Sequence, residues 1–178
     1  DGIVTTATDA EAVVTLDDDL YDSIMGENGV IAKVEESGYF VNGHMADISM
    51  RAKLRGLRDS TGNPIFKSDM QGGTSYSLDG SPMTFPRNGA FDKSKALMIS
   101  GDFSQLVYAI RQDITFKLLD QAVIQDPSTD EIVYNLAQND MVALRAVMRL
   151  GWELPNPINS IQPDAESRCP FAILKAGA

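Results

Sequence analysis

Cysteine, histidine and tryptophan each occur only once in these 178 residues. The single cysteine, Cys169, excludes an internal disulfide framework and fits a reducing compartment. No apolar run approaches the roughly 20 residues needed to cross a bilayer, and the first residues lack the basic and apolar regions of a signal peptide. We therefore expect no membrane partner. Because an initiator methionine is also missing, we expect the chain to begin inside a longer parent protein.

Basic residues are outnumbered by acidic ones, 15 to 25, which gives a net charge of −10. Residues 1–37 carry the imbalance, because their only basic residue is Lys33, whereas acidic and basic residues nearly balance over 38–178. A protein that grips nucleic acid usually has a basic stripe, since phosphate neutralisation provides much of the affinity. The charge pattern therefore argues against nucleic-acid recognition and favours an acidic, solvated surface.

With 43% hydrophobic residues, the chain can bury a core, and its patterns predict a mixed α+β protein. The β-branched run Ile3–Ala7 predicts a strand, and Thr15 is expected to cap a helix over Asp17–Met25. Asp47 is expected to begin a helix that ends at Leu57, with Ile48, Leu54 and Leu57 facing inward. Further elements are expected at Val30–Ser37 (a helix stopped by Gly38), Tyr39–Met45, Pro64–Phe66, Pro82–Phe85, Ala96–Ser100 and Phe171–Leu174, with turns at Ser60–Asn63 and Asp79-Gly80 and a flexible stretch from Gly72-Gly73 to Tyr76.

The longest regular pattern is an apolar alternation of period two over Val142–Leu154. Upstream, Ile114, Phe116 and Leu118 alternate with polar residues, and a turn at Asp126–Ser128 separates the two runs. We therefore expect residues 105–154 to form a long antiparallel hairpin with one apolar face. The even-numbered residues of the second run are expected to face the core, with Trp152 as a core side chain.

Cys169 and His44 suggest a nucleophile and its base, with Asp47 as the orienting acid. Neither lies in a recognisable catalytic motif, so a structural histidine on a strand is the simpler interpretation. Asp17, Asp18 and Asp19 offer hard oxygen ligands, but adjacent helical residues point in different directions. Favourable charge at a helix N-terminus explains this acidic run more simply. We assign no catalytic, cofactor-binding or metal-binding residue.

A basic group on the helix that follows Asp47 leaves three alternatives open. It could touch DNA, pair with the acidic segment 17–36 of a neighbouring subunit, or form a solvated helix face. Its members are Arg51, Lys53, Arg55 and Arg58.

Four stretches, in their order and spacing over residues 30–155, resemble the tailed-phage capsid family. The first is Tyr39–Phe66, a strand and helix that lead through Leu57–Phe66 into a glycine turn and a short aromatic strand. The second is the leucine-x-glycine-x-proline turn in Leu78–Met83. The third is the glycine-aspartate-phenylalanine strand entry Gly101–Gln105, followed by Tyr108 and Ile110. The fourth lies in Asn139–Leu154, where the family pattern is matched by Asn139, Val142, Arg145, Arg149 and Gly151.

This resemblance implies the α+β Hong Kong 97-type capsid fold. Residues 1–108 would form the core of the axial lobe, a sheet with flanking helices. Residues 109–160 would form a long β-hairpin of the peripheral lobe, and residues 161–178 a return strand to the axial lobe. The family's N-terminal arm, extended loop and spine helix would precede residue 1. The lysine of the lysine–asparagine crosslink found in some members lies in that loop, so the crosslink is carried over to no residue here.

The function implied by the resemblance is that of a structural major capsid protein and not of an enzyme. Copies of it would self-assemble into the icosahedral head that encloses phage DNA, with contact to that DNA lacking sequence specificity. The protein would reside in the virion capsid, and in the host cytoplasm during assembly. The isolated chain is expected to be monomeric or weakly oligomeric. Two alternatives stay open: an encapsulin-like compartment shell, and a cysteine hydrolase built around Cys169.

Overall fold

The computed structural model describes residues 2–17, 19–58, 61–63, 76–89 and 91–177. The chain divides into two compact units. One unit contains residues 1–106 and 154–178, and we call it the core unit; the other is Val107–Glu153, the hairpin unit. The expected strand Pro64–Phe66 and the Gly72-Gly73 stretch lie outside the described residues, as does part of the turn Ser60–Asn63.

Four α-helices and ten strands lie within the described part of the chain. The helices are α1 Ile3–Asp9, α2 Leu20–Met25, α3 Val30–Glu36 and α4 Ile48–Gly56. The strands are β1 Val13–Thr15, β2 Gly43–Ala46, β3 Ser77–Leu78, β4 Ser81–Thr84, β5 Met98–Gly101, β6 Val107–Leu119, β7 Val123–Gln125, β8 Ile132–Asn135, β9 Ala143–Glu153 and β10 Phe171–Lys175. No helix among these residues is long and apolar enough to span a membrane.

The core unit is organised around a mixed sheet of six strands in the order β1-β10-β5-β2-β4-β3. Two neighbouring pairs, β1 with β10 and β2 with β4, are parallel, and the other pairs are antiparallel. The inner strand β10 is an unbroken apolar run whose residues Phe171–Leu174 are all fully buried, as expected for a strand covered on both faces. Its position next to β5 confirms the expected closing strand. Helices α1 and α3 pack against it.

The glycine-aspartate-phenylalanine stretch has a packing role in this sheet. Gly101 pairs with Phe171 on one side and with Gly43 on the other. The absence of a side chain at Gly101 admits the Phe171 ring, which meets Phe103 edge to face with centroids 5.1 Å apart. Asp102 begins a short 3₁₀-helix over Phe103–Gln105, accepting a hydrogen bond from the Ser104 backbone N–H.

Two predicted helix boundaries are confirmed. Gly38 follows α3 and its C-cap Ser37 with φ +82°, the left-handed conformation that glycine adopts most easily. Asp47 caps α4, its carboxylate accepting a hydrogen bond from the Ser49 backbone N–H at 2.9 Å.

The prediction of a strand at Ile3–Ala7 is wrong, because residues 3–9 form helix α1. The hydroxyls of Thr6 and Thr8 donate back to the carbonyls of Gly2 and Val4, so these β-branched residues satisfy their polar groups inside a helix. The helix is kept by tertiary packing of the buried Ala7.

Thr15 does not cap the next helix, because it belongs to strand β1, paired with Lys175. Asp19 takes the capping role for α2 and accepts hydrogen bonds from the backbone N–H groups of Tyr21 and Asp22, at 2.8 and 3.4 Å. The helix is therefore shorter than the expected Asp17–Met25. The expected favourable charge at its N-terminus is present through Asp19.

Two of the three inward positions predicted for helix α4 are confirmed, since Leu54 is fully buried and Leu57, the C-cap, is partly buried against the core. Ile48 is not inward, because it is 50% exposed, and Met50, four residues before Leu54, is buried instead. Strand β2 also begins later than the expected Tyr39–Met45, at Gly43.

The hairpin unit contains the long antiparallel pair β6 and β9, together with a short pair β7 and β8. This confirms the expected hairpin over residues 105–154. The Asp126–Ser128 turn is also present, with the Ser128 backbone N–H donating to the Asp126 carboxylate at 2.8 Å.

Candidate assembly surfaces

One face of the β6–β9 pair carries apolar cross-strand pairs on both sides of its central register shifts. Two register shifts occur in this pair, between Ile110 and Gln112 and between Gln112 and Thr115. Each shift adds one extra residue to β6 relative to β9. Because two extra residues restore the alternation of side chains between the two faces, the apolar residues on both sides of the shifts lie on one face. The apolar cross-strand pairs are Tyr108 with Trp152, Ile110 with Leu150, Phe116 with Ala146, and Leu118 with Leu144.

This apolar face is exposed, so the prediction that it faces a core is wrong for this chain. Leu150 is 55% exposed and Trp152, expected as a core side chain, is 44% exposed. A two-stranded ribbon has only one layer and cannot bury its own face. A contiguous apolar surface of this kind is typical of a contact site.

A second candidate surface is the loop from Pro155 to Ser167, which is held by the fully buried Arg168. The Arg168 guanidinium donates to the Asn156 side chain at 2.8 Å, to the Gln162 carbonyl at 2.7 Å and to the Asn156 carbonyl at 3.1 Å. Among the described residues, no carboxylate forms an ion pair with it. A buried cation is costly unless fully hydrogen-bonded, so the loop carbonyls that satisfy Arg168 are held in one arrangement.

Replacing Arg168 by methionine is therefore expected to lower the free energy of unfolding by about 2 kcal/mol, because the loop carbonyls lose their donors. The free energy of unfolding of Arg168→Lys should lie between those of the wild type and Arg168→Met, since an ammonium keeps the charge but cannot reach every acceptor of the guanidinium. Urea unfolding with amide hydrogen exchange over residues 156–167 provides the measurement. Unchanged midpoints and unchanged exchange in the methionine variant would contradict this role.

The basic residues on and after α4 do not act alike. Arg51 is half-buried, with its guanidinium carbon 4.6 Å from the centre of the Tyr76 ring. Arg58 donates to the carbonyls of Arg55 and Leu57 at 2.8 and 3.0 Å and so satisfies the end of the helix. Lys53 and Arg55 are exposed and form no ion pair with any residue that the structure describes.

The three residues of the hypothetical hydrolytic site are not joined by hydrogen bonds. His44 lies buried on β2, where its ring nitrogens contact the Ser100 hydroxyl at 2.8 Å and the Leu78 carbonyl at 3.1 Å. Burial raises the pKa of the Cys169 thiol, which disfavours the reactive thiolate. Asp47 is engaged in capping α4. His44 thus lies on a strand, as expected, with a hydrogen-bond partner at each ring nitrogen.

Burial lowers the pKa of His44 below its ordinary value of 6.5, an effect that outweighs the Leu78 carbonyl and the Asp79 charge. The unfolded chain therefore binds this proton more readily than the folded one, and the stabilisation is full above pH 6.5 and declines as pH falls below it. We expect the urea midpoint to fall between pH 7 and pH 5 in the wild-type chain, and to fall less in His44→Gln. Parallel curves for the two proteins would show that His44 is not responsible.

Of the three residues in the acidic run, Asp19 caps α2, and Asp18 lies outside the described residues. The backbone N–H of Asp17 donates to the Ser23 hydroxyl at 3.3 Å. No cluster of potential metal ligands is found in the part of the chain that the structure describes.

Sequence reasoning missed Arg168 and the loop that it holds. The sequence contains a signal for a rigid loop in Pro155 and Pro157, but nothing local distinguishes a buried arginine from an exposed one. The exposed isoleucines of this loop, Ile158 and Ile161, also follow no helical or strand period.

The sequence profile of the phage capsid family matches residues 1–163. The major capsid protein of Staphylococcus phage 80alpha is 31% identical over 120 residues, which are 67% of this chain and 35% of that protein. The chain therefore belongs to the phage capsid family.

Solved structures show the same fold. A chain from Microbacterium phage Oxtober96 superposes with a TM-score of 0.78 at 28% identity, covering 98% of this chain and 54% of its own. A chain from Mycobacterium phage Bobi superposes with a TM-score of 0.76 at 29% identity, and the match covers 99% of this chain and 54% of the Bobi chain. The fold is thus the α+β Hong Kong 97-type capsid fold, as the resemblance implied. The chain spans about half the length of these structures and about a third of the curated relative.

Proposed function

We propose that this chain is part of a phage major capsid protein, a structural subunit that assembles with copies of itself into the virion shell. The observation that carries the proposal is the apolar face of β6 and β9, which is left exposed although the core unit buries its own apolar residues. An exposed apolar face of this kind is expected to be covered by other protein in an assembly. Membership of the phage capsid family supports the same function.

The core unit would correspond to the axial lobe, and the hairpin unit to the peripheral lobe. The observed bounds of the hairpin unit, 107–153, lie close to the expected 109–160. The protein would reside in the virion capsid, after passing through the host cytoplasm during assembly. Any contact with packaged DNA would lack sequence specificity, since the basic residues of α4 form no extended stripe.

A structural role fits the chain better than the alternatives. A cysteine hydrolase is disfavoured by the buried Cys169, whose thiol pKa is raised, and by the engagement of both His44 nitrogens. The encapsulin-like alternative is disfavoured because the curated relative is a phage major capsid protein.

Quantitative mass spectrometry of purified phage particles tests the proposal. Peptides from residues 1–178 are expected among the proteins of highest copy number, because a shell contains many more copies of its subunit than of any tail or enzymatic component. Absence of these peptides from particles that contain another abundant shell protein would overturn it.

A further inference from the structure

Three side chains of the core unit are unusually exposed for apolar residues. Ile158 and Ile161 in the Arg168-held loop are 89% and 68% exposed, and Phe40 is 82% exposed. The loop is seated on the segment that carries Phe40, because Asn159 donates from its side chain to the Ser37 carbonyl at 2.9 Å. A Cβ atom placed on Gly38 would lie 3.2 Å from Ile161 Cβ, which shows how closely the two segments approach.

This loop is preorganised for binding. The Arg168 hydrogen bonds fix one end, and the Asn159 carboxamide oxygen accepts from the backbone N–H groups of Ile161 and Gln162, at 3.1 and 2.8 Å. Ordering a loop is a cost of association, and here that cost is met during folding. Single exposed isoleucines are ordinary, whereas two on a loop held by a buried cation form a rigid apolar projection.

The projection has an acidic rim. Glu36 lines a surface depression together with Glu11, Lys33 and Gln162, and it forms an ion pair with Lys33 at 3.2 Å, so the end of α3 borders the loop. The loop itself adds the exposed Asp164 and Glu166. A partner that fits this surface needs an apolar centre with basic residues around it.

Helix α4 of the same chain has these properties. Ile48 is half exposed, and residues 48–58 contain four basic residues and no acidic one in a protein of net charge −10. Lys53 and Arg55 project from it without an ion pair among the described residues, although Lys53 shares a shallow depression with Asp17 and Asp19. Each copy therefore has one surface of each kind.

We propose that the Ile158–Ile161 loop of one copy docks on helix α4 of a second copy, an inference that rests on the proposed function as a shell subunit. Because the two surfaces differ, the contact is heterologous, and repetition of it closes into a ring when the rotation allows. Charge complementarity selects the partner surface, and the isoleucines provide the apolar centre.

Charge reversal on each surface tests the contact in the purified chain. Sedimentation velocity is run from about 10 µM to about 1 mM protein, in about 50 mM and about 500 mM salt. The basic-surface variant is K53E/R55E, and the rim variant is E36K/E166K. The control matched to K53E/R55E is K117E/R145E, which makes the same change in net charge on the hairpin unit.

The wild-type chain is expected to be monomeric when dilute and to associate weakly at high concentration in low salt. Each reversal variant should associate about tenfold more weakly or worse, as should I158S/I161S, while K117E/R145E behaves like the wild type. An equimolar mixture of the two reversal variants should recover association, because each then presents a surface complementary to the other's. Recovery on mixing cannot arise from misfolding of either variant.

The inference is overturned if the wild-type chain stays monomeric throughout, if the control weakens association equally, or if mixing restores nothing. These results leave the proposed function intact, since that is decided independently by the protein content of phage particles. They would then mean that copies of the chain contact one another in the shell through other surfaces.

Discussion

Gly101→Ala is expected to lower the free energy of unfolding by about 3 kcal/mol, or to prevent folding. A Cβ atom at this position would lie 2.5 Å from Phe171 Cδ1 and 2.9 Å from Phe171 Cα, and would also meet the Pro170 carbonyl oxygen. Two of these atoms belong to the backbone of the strand partner, so neither can move aside by a change of rotamer. The sheet would have to separate between β5 and β10.

Gly151→Ala is the matched control. Gly151 also lies within a strand and within a stretch that resembles the capsid family, but a Cβ there meets no atom within 4 Å. This variant should unfold at the wild-type urea midpoint or slightly above it. Equal losses for the two substitutions would show that the glycine at 101 is not required by packing against Phe171.

Leu150→Asp is expected to separate folding from assembly. Leu150 is more than half exposed in the chain, so the isolated variant should lose less than about 1 kcal/mol of stability. In a shell, the same carboxylate would have to be buried in an apolar contact, which costs several kcal/mol unless it is paired. Incorporation of the full-length variant into phage particles, in competition with the wild type, should therefore fall at least about tenfold.

Arg149→Asp controls for charge and for position in the strand. Its register partner is Gln112, and it lies on the opposite face of β9 from Leu150. Its incorporation should stay within about twofold of the wild type, since exposed charges contribute little. If Leu150→Asp is incorporated as well as Arg149→Asp, the apolar face is not covered in the particle.

The sequence allowed most elements of the fold to be predicted wherever a local pattern and the tertiary environment agree. The cap at Asp47, the stop at Gly38 and the alternating residues of β6 and β9 all follow from local chemistry. The resemblance over residues 30–155 also gave the correct fold class. Its glycine-aspartate-phenylalanine stretch has a physical reason in the packing of Gly101 against Phe171.

The errors arise where long-range packing overrides local preference. The run Ile3–Ala7 has strand propensity but is helical, because Ala7 packs into the core through a helix. The alternation in Val142–Leu154 correctly predicted an apolar face but not its exposure in this chain. Periodicity indicates which residues share a face and not what packs against that face. Arg168 could not be found, since its acceptors come from a loop whose course is set by tertiary structure.

A cryo-electron microscopy reconstruction of the purified phage particle at side-chain resolution tests most directly whether this chain forms the shell. The core and hairpin units of this chain are expected to fit the repeating density of the icosahedral shell, with the face carrying Tyr108, Leu150 and Trp152 covered by other protein density. A shell whose density is fitted by a different protein, or in which this face is open to solvent, would contradict it.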